Sequence, residues 1–126
     1  MNRRTITGVA IASLALLIAL LQFLATRYFL YWEFWWFDIV MHFLGGLFIG
    51  VSYLWLLRFE ASAQLQKRVP VLVSSFFAVF LVGILWEIFE YVTGMYVETG
   101  YTLDTTLDLT MDIVGMMSAY LIFRRV

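Results

Sequence analysis

Long uncharged stretches alternate with short polar segments along the chain. The uncharged stretches are 5–26, 39–57 apart from His42, 69–86, and 109–123 apart from Asp112. A helix needs roughly 20 apolar residues to cross the hydrocarbon core of a bilayer. The pattern therefore predicts four transmembrane helices, at residues 6–26, 39–58, 70–93 and 105–123.

Composition supports this interpretation. The chain has 126 residues, of which 63% are hydrophobic and 13% are charged. Its length is that of one domain, and a soluble helical protein with this pattern would keep almost no polar face. We therefore expect an all-α, integral-membrane four-helix bundle that forms a single transmembrane domain over residues 1–126. Because no small-residue cleavage site follows the first apolar stretch, that stretch is expected to be a retained anchor.

The basic residues lie almost entirely on one side of this topology. Of the eight, the seven on the same side are Arg3, Arg4, Arg58, Lys67, Arg68, Arg124 and Arg125. Cytoplasmic loops of membrane proteins carry an excess of Lys and Arg, so both termini and the loop 59–69 are predicted to be cytoplasmic. Arg27 alone falls on the outer side, where it is a candidate to contact a lipid headgroup.

Two further patterns concern packing at the membrane. The segment "YFLYWEFWWF", residues 28–37, is typical of an interfacial aromatic belt, with a rim that guides substrate as the alternative. Gly46 and Gly50 have the Gly-x-x-x-Gly spacing that permits close helix packing.

Acidic and imidazole side chains occupy one face of each of three predicted helices. The groups are Asp38 with His42, Glu87 with Glu90, and Asp104 with Asp108 and Asp112. Residues three or four positions apart share a helix face. At a rise of 1.5 Å per residue, all of them lie within about 10 Å of the outer ends of their helices. We therefore expect them to converge in one site in the outer half of the membrane.

No Lys or Arg lies at the depth of these carboxylates in the predicted transmembrane helices. An ionised Asp at the centre of a transmembrane helix costs roughly 2.5–3.5 kcal/mol, so the groups must hold protons, bind cations or face water. Carboxylates with one imidazole suit Mn²⁺, Fe²⁺, Zn²⁺ or Mg²⁺, and two divalent ions would neutralise four carboxylates. The predicted ligands of one or two such ions are His42, Glu87, Glu90, Asp108 and Asp112, with Asp38 and Asp104 as further candidates.

A competing interpretation applies to the residues at the predicted helix starts. Asp38 and Asp104 have side chains that commonly cap helix N-termini, and Thr105-x-x-Asp108 has the spacing of a capping box.

The motifs also resemble those of a known family. Asp38-x-x-x-His42-Phe43, Trp86-Glu87-x-x-Glu90 and Thr105-x-x-Asp108-x-x-x-Asp112-x-x-Gly115 resemble the YjdF-type family of small bacterial inner-membrane proteins and, more distantly, VanZ-like proteins. The resemblance covers residues 36–118 and implies a multi-pass protein of the bacterial inner membrane with its site at these residues. Members of the VanZ-like group are linked to glycopeptide resistance, but Glu90 stands where they often carry Gln. The resemblance supplies no substrate.

Three functions are compatible with these patterns. The first is a metal-dependent membrane enzyme, a hydrolase or an oxidoreductase, that acts on a lipid or other amphiphile, with its catalytic residues unassigned. The second is a transporter coupled to protons or cations, and the third is an accessory subunit whose polar cluster fixes helix packing. The absence of cysteine excludes thiolate metal sites and disulfides. Nucleic-acid binding has no support, and a homo-oligomer is left open.

Overall fold

The chain folds into long helices joined by short connections. The computed structural model describes residues 2–94 and 100–125, with side chains up to residue 123. The helices are α1 (Arg3–Tyr28), α2 (Leu30–Glu33), α3 (Phe37–Phe59), α4 (Ala63–Arg68), α5 (Val71–Thr93) and α6 (Tyr101–Arg125). Four of them, α1, α3, α5 and α6 as far as Phe123, are long and apolar enough to cross a membrane. This confirms the predicted all-α membrane bundle.

Local signals in the sequence set the ends of the helices. The side-chain oxygen of Asn2 accepts a hydrogen bond from the backbone N–H of Thr5 at 2.8 Å and caps α1. Pro70 is the N-cap of α5, and Gly94, at φ 70°, ends that helix in the left-handed conformation that glycine adopts without strain. Helix α6 begins one turn earlier than residue 105, because the backbone carbonyl of Gly100 already accepts from the N–H of Asp104 at 3.0 Å.

The capping interpretation of Asp38 and Asp104 is wrong. Trp36 is the N-cap of α3, and Asp38 lies inside the helix. Asp104 lies within the first turn of α6. Thr105 is also not part of a capping box, since its hydroxyl donates to Oε2 of Glu87 on α5 at 2.7 Å. The side chains at these helix starts are therefore available to the polar cluster.

Helices α3 and α6 run parallel and pack closely through glycines. A methyl group added at Gly46 would overlap the backbone of Asp112, and one added at Gly115 would overlap the backbone of Phe43. A methyl group at Gly50 would also press on α6, at 3.0 Å from the side chain of Ala119. Small residues let helix backbones approach, so the packing role predicted for Gly46 and Gly50 is confirmed. No such role was predicted for Gly115.

The bundle has chemically different ends. Helix α1 is antiparallel to α3: Arg4 at its start pairs with Glu60 just after α3, whereas Ala25 near its end is buried against Phe37 and Met41 at the start of α3. The polar cluster lies at the latter end. We expect the end with Arg4 to face the cytoplasm, on the positive-inside argument.

Candidate metal centre

His42 lies among four carboxylates contributed by α3, α5 and α6. Its Nε2 is 3.8 Å from Oδ1 of Asp38 and 3.9 Å from both Oε1 of Glu87 and Oδ2 of Asp108. Its Nδ1 is 3.4 Å from Oδ1 of Asp112. His42, Glu87 and Asp112 are only 5–6% exposed and Asp108 is 2% exposed, whereas Asp38 is half-buried. The imidazole is therefore the centre of a desolvated acidic cluster.

Close approach of the helices brings these side chains together. The cluster forms where α3 and α6 begin and α5 ends, so polar residues near these termini face one another. Gly46 brings the backbone of Asp112 against α3. On α5, a methyl group at Gly83 would lie 2.5 Å from Oδ2 of Asp112. Gly83 thus makes room for this carboxylate. Sequence reasoning missed this, although a glycine four residues before Glu87 on the same face was an available signal.

Several polar atoms of the cluster are buried without a hydrogen-bond partner among the described residues. They are Nε2 of His42, Oε1 of Glu87 and Oδ2 of Asp112. Burying an unpaired polar group costs about 1–3 kcal/mol, and nearly all such groups in proteins are paired. The 3.9 Å between Nε2 of His42 and Oε1 of Glu87 is too long for a hydrogen bond. One ion can, however, span this distance, since two bonds of about 2.0–2.6 Å reach up to about 4–5 Å.

Three overlapping sets of side chains could hold an ion. In each set, the ligand atoms lie within 4.8 Å of one another. The sets are His42–Glu87–Asp108, Asp38–His42–Glu90 and Asp38–Asp104–Asp108. The first set is buried throughout, and the other two include half-buried members. Six of the seven side chains that the sequence singled out as ligands or further candidates therefore belong to at least one of these sets.

Asp112, the seventh, occupies a different position. None of the ligand sets found among the described residues includes it, and it faces Nδ1, the ring nitrogen turned away from the other carboxylates. A carboxylate at the second nitrogen of a ligating histidine fixes the orientation of the ring and makes the first nitrogen a better ligand. The geometry thus favours a positioning role for Asp112 over direct ligation.

Thr105 is a second positioning side chain; the sequence placed it in a capping box and in the family-like motif, but did not predict that it contacts Glu87. Its hydroxyl donates to Oε2 of Glu87 at 2.7 Å, which leaves Oε1 directed at His42. The available signal was its spacing, because Thr105 precedes Asp108 by three residues and so shares its helix face.

No described Lys or Arg side chain pairs with the cluster. The ion pairs found for its carboxylates involve His42, and the pair of Arg4 with Glu60 is at the opposite end of the bundle. Glu87 and Glu90 also lie near the C-terminal end of α5, where the helix dipole disfavours anions. Arg27 is exposed in the last turn of α1, over the ring of Tyr28. Its contact with a lipid headgroup stays a prediction.

An apolar cavity of about 420 Å³ adjoins the cluster. Asp38, His42 and Asp112 line one end of it, and the remaining walls come mainly from apolar residues of α1, α3 and α5.

Comparisons with known proteins agree with a membrane location. A family model described as "Predicted membrane protein (DUF2238)" matches residues 1–126. No curated protein and no solved structure matches the chain. The family description names neither the YjdF type nor the VanZ-like group, so that resemblance stays a prediction.

Proposed function

This chain belongs to the DUF2238 family of predicted membrane proteins, and we propose that it binds a divalent metal ion in its polar cluster and acts as an enzyme on a lipid or other amphiphile. One observation carries the proposal. Nε2 of His42 and Oε1 of Glu87 are buried, have no hydrogen-bond partner among the described residues and are 3.9 Å apart, and an ion between them would satisfy both atoms.

The principal ligands in this proposal are His42, Glu87 and Asp108. Two carboxylates and a neutral imidazole would neutralise one divalent ion, which removes the cost of burying these charges. Oxygen-rich donor sets of this kind suit Mn²⁺, Fe²⁺, Mg²⁺ or Zn²⁺. A second ion would be held nearer the helix ends, by Asp38 and Asp104 with Asp108 as a shared ligand or by Asp38 and Glu90. Asp112 and Thr105 would orient the ligands.

The enzymatic part of the proposal depends on where the cluster lies. It adjoins a cavity with apolar walls, so an apolar substrate can be bound with its polar head at the ion. A divalent ion bound there would polarise a headgroup oxygen and make a bound water more acidic. The metal found in the protein would indicate the reaction class, because Fe²⁺ favours redox chemistry, and Zn²⁺, Mg²⁺ or Mn²⁺ favours hydrolysis.

Metal stoichiometry tests the proposal. The protein would be purified in detergent, and its metal content would be measured by mass spectrometry. We expect about one or two divalent ions per chain in the wild type and less than a tenth of that content in His42→Ala or Glu87→Gln, because each variant loses a principal ligand. Glu60→Gln is the matched control, since Glu60 pairs with Arg4 at the other end of the bundle.

Two outcomes would contradict metal binding. The first is a wild-type protein that carries no metal and takes up none of Mn²⁺, Fe²⁺, Zn²⁺ or Mg²⁺ when each is added. The second is a metal content that falls equally in Glu60→Gln and Glu87→Gln. The first outcome would favour a protonated, hydrogen-bonded cluster that only fixes helix packing.

A further inference from the structure

The cavity beside the metal centre has the size of a ligand pocket. Its volume of about 420 Å³ lies within the range of roughly 300–1,000 Å³ that is usual for small-molecule sites. On α3 its lining extends from Asp38 to Ile49, which corresponds to about 16 Å along a helix that rises 1.5 Å per residue. The cavity is therefore elongated along the bundle.

The cavity opens through the side of the bundle. Helix α1 packs along α3, and α5 packs on α3 and α6, so that α1 and α5 face each other across the cavity. Val82 and Trp86 of α5 line it and are 41% and 38% exposed, so the cavity is not closed on this side. On the facing side of α1, the lining residues Ala15 and Ala19 are small. Since α1 and α5 are both apolar enough to span a membrane, this opening would face lipid.

The polar groups of the cavity are concentrated at the end beside the metal centre. Asp38 and His42 line that end together with Tyr31 and Gln22. The hydroxyl of Tyr31 donates to Oε1 of Gln22 at 2.6 Å. Burial raises the pKa of Tyr31, so the phenol stays protonated and keeps this hydrogen bond. A bound molecule would therefore meet polar atoms at one end and hydrocarbon walls along the rest.

We infer that the cavity holds the alkyl chain of an amphiphile that enters sideways from the bilayer between α1 and α5, with an anionic oxygen headgroup at His42 and Asp38. A straight hydrocarbon chain fits an elongated apolar cavity, and the surrounding lipid supplies such chains. The headgroup part of the inference rests on the proposed function, because only a bound cation would attract a phosphate or a carboxylate to acidic side chains. The inference that the cavity holds an alkyl chain rests on the shape of the cavity and on its apolar walls.

Photolabelling tests this inference directly. The protein would be purified in a steroid-based detergent, which has no linear alkyl chain, and exposed to dodecyl phosphate and dodecanoate that carry a diazirine in the chain. We expect labels on cavity-lining residues of α1, α3 and α5. Ala15→Phe and Ala19→Phe each fill the cavity from the α1 side and should reduce this labelling about tenfold. A comparison of the two probes distinguishes a phosphate from a carboxylate head.

Ala12→Phe is the matched control, because Ala12 is exposed on α1 and does not line the cavity. The inference is wrong if both cavity-filling variants label as strongly as this control. Metal content measured in the same samples separates the two proposals. If the wild type is labelled but carries no metal, and Ala15→Phe and Ala19→Phe abolish the labelling, the alkyl-chain site is supported and the proposed metal function is wrong. If the wild type carries metal and labelling is unchanged in both variants, only the proposed alkyl-chain site is wrong.

Discussion

The ring nitrogens of His42 have different environments, and this difference defines the chemistry of the site. Nδ1 faces a single carboxylate, that of Asp112, at 3.4 Å, whereas Nε2 faces Asp38, Glu87 and Asp108 at 3.8–3.9 Å. A proton on Nδ1 would be held by Asp112 and would leave the lone pair of Nε2 free for an ion. Thr105 acts in the same way on Glu87, because it donates to Oε2 and leaves Oε1 without a hydrogen-bond partner among the described residues.

Thr105→Val should lower the affinity for the metal by about 10- to 100-fold, the usual effect of removing a group that orients a ligand. The change keeps the shape of the side chain and deletes the hydroxyl that donates to Glu87. Metal affinity would be measured by competition with a chromogenic chelator, and Thr105→Ser should restore it.

Thr106→Val is the matched control at the adjacent position, since the Thr106 hydroxyl donates to the backbone carbonyl of Thr102 on an exposed surface. A role in stability alone would lower the melting temperature of metal-free Thr105→Val and leave its metal affinity unchanged. That result would contradict the positioning role.

At the scale of the helices, glycines determine how closely the ligands approach. Gly46 and Gly115 bring α3 and α6 into backbone contact, and Gly83 accommodates the carboxylate of Asp112 beside α5. A side chain at any of these positions would push apart the helices that carry the cluster. Packing and function are therefore coupled through the same few residues.

Gly46→Ala should destabilise the bundle by about 1–3 kcal/mol or more, the usual cost of an overpacked contact. The added methyl group would overlap backbone atoms of Asp112, which cannot move as freely as a side chain. Melting temperature in detergent is the measurement, and metal content should fall in parallel because α6 carries Asp108.

Gly8→Ala is the control for this substitution. A methyl group at Gly8 would meet nothing within 4 Å, and alanine is favoured over glycine inside a helix by about 1 kcal/mol. Its melting temperature should stay the same or rise slightly. Equal melting temperatures for the Gly8 and Gly46 variants would contradict the close contact of α3 with α6.

For the whole molecule, metal binding and stability should be linked. An ion that binds only the folded state at a concentration 100 times its dissociation constant stabilises that state by about 2.7 kcal/mol. Removing it would leave the buried carboxylates of Glu87 and Asp108 with the imidazole of His42 as their only ion-pair partner among the described residues.

Chelation should therefore lower the melting temperature of the wild type, and added metal should restore it. The melting temperature of His42→Ala, which lacks the central ligand, should not respond to the chelator. If the wild type responds no more than this variant does, the ion does not contribute to stability.

The orientation in the membrane is a separate prediction for the whole molecule. Reporter fusions at the C-terminus and in the loop near Ala63 should report the cytoplasm, and a fusion near Gly100 should report the exterior, because seven of the eight basic residues lie on the predicted inner side. An exterior signal from the C-terminal fusion would reverse the topology and place the polar cluster on the cytoplasmic side.

The sequence alone determined the four long helices of this protein. Each transmembrane helix follows from an uncharged stretch of the length that a bilayer requires, and these four helices are present in the structure. Helix α6 begins one turn before the predicted span 105–123, in a segment, Tyr101 to Asp104, that mixes polar and apolar residues. The first turn of a transmembrane helix tolerates such residues, because it lies at the polar interface.

The sequence also identified six side chains that lie together in the potential ligand sets, because a spacing of three or four residues fixes a common helix face. Only the tertiary structure decided the arrangement between helices: that Nδ1 of His42 faces Asp112, that Thr105 holds Glu87, and that a cavity separates α1 from α5. The physical reason is that helical periodicity fixes angles within one helix, whereas distances between helices depend on register and approach. In this protein the register and approach are set by three glycines: Gly46 and Gly115 allow backbone contact between α3 and α6, and Gly83 leaves space for the carboxylate of Asp112.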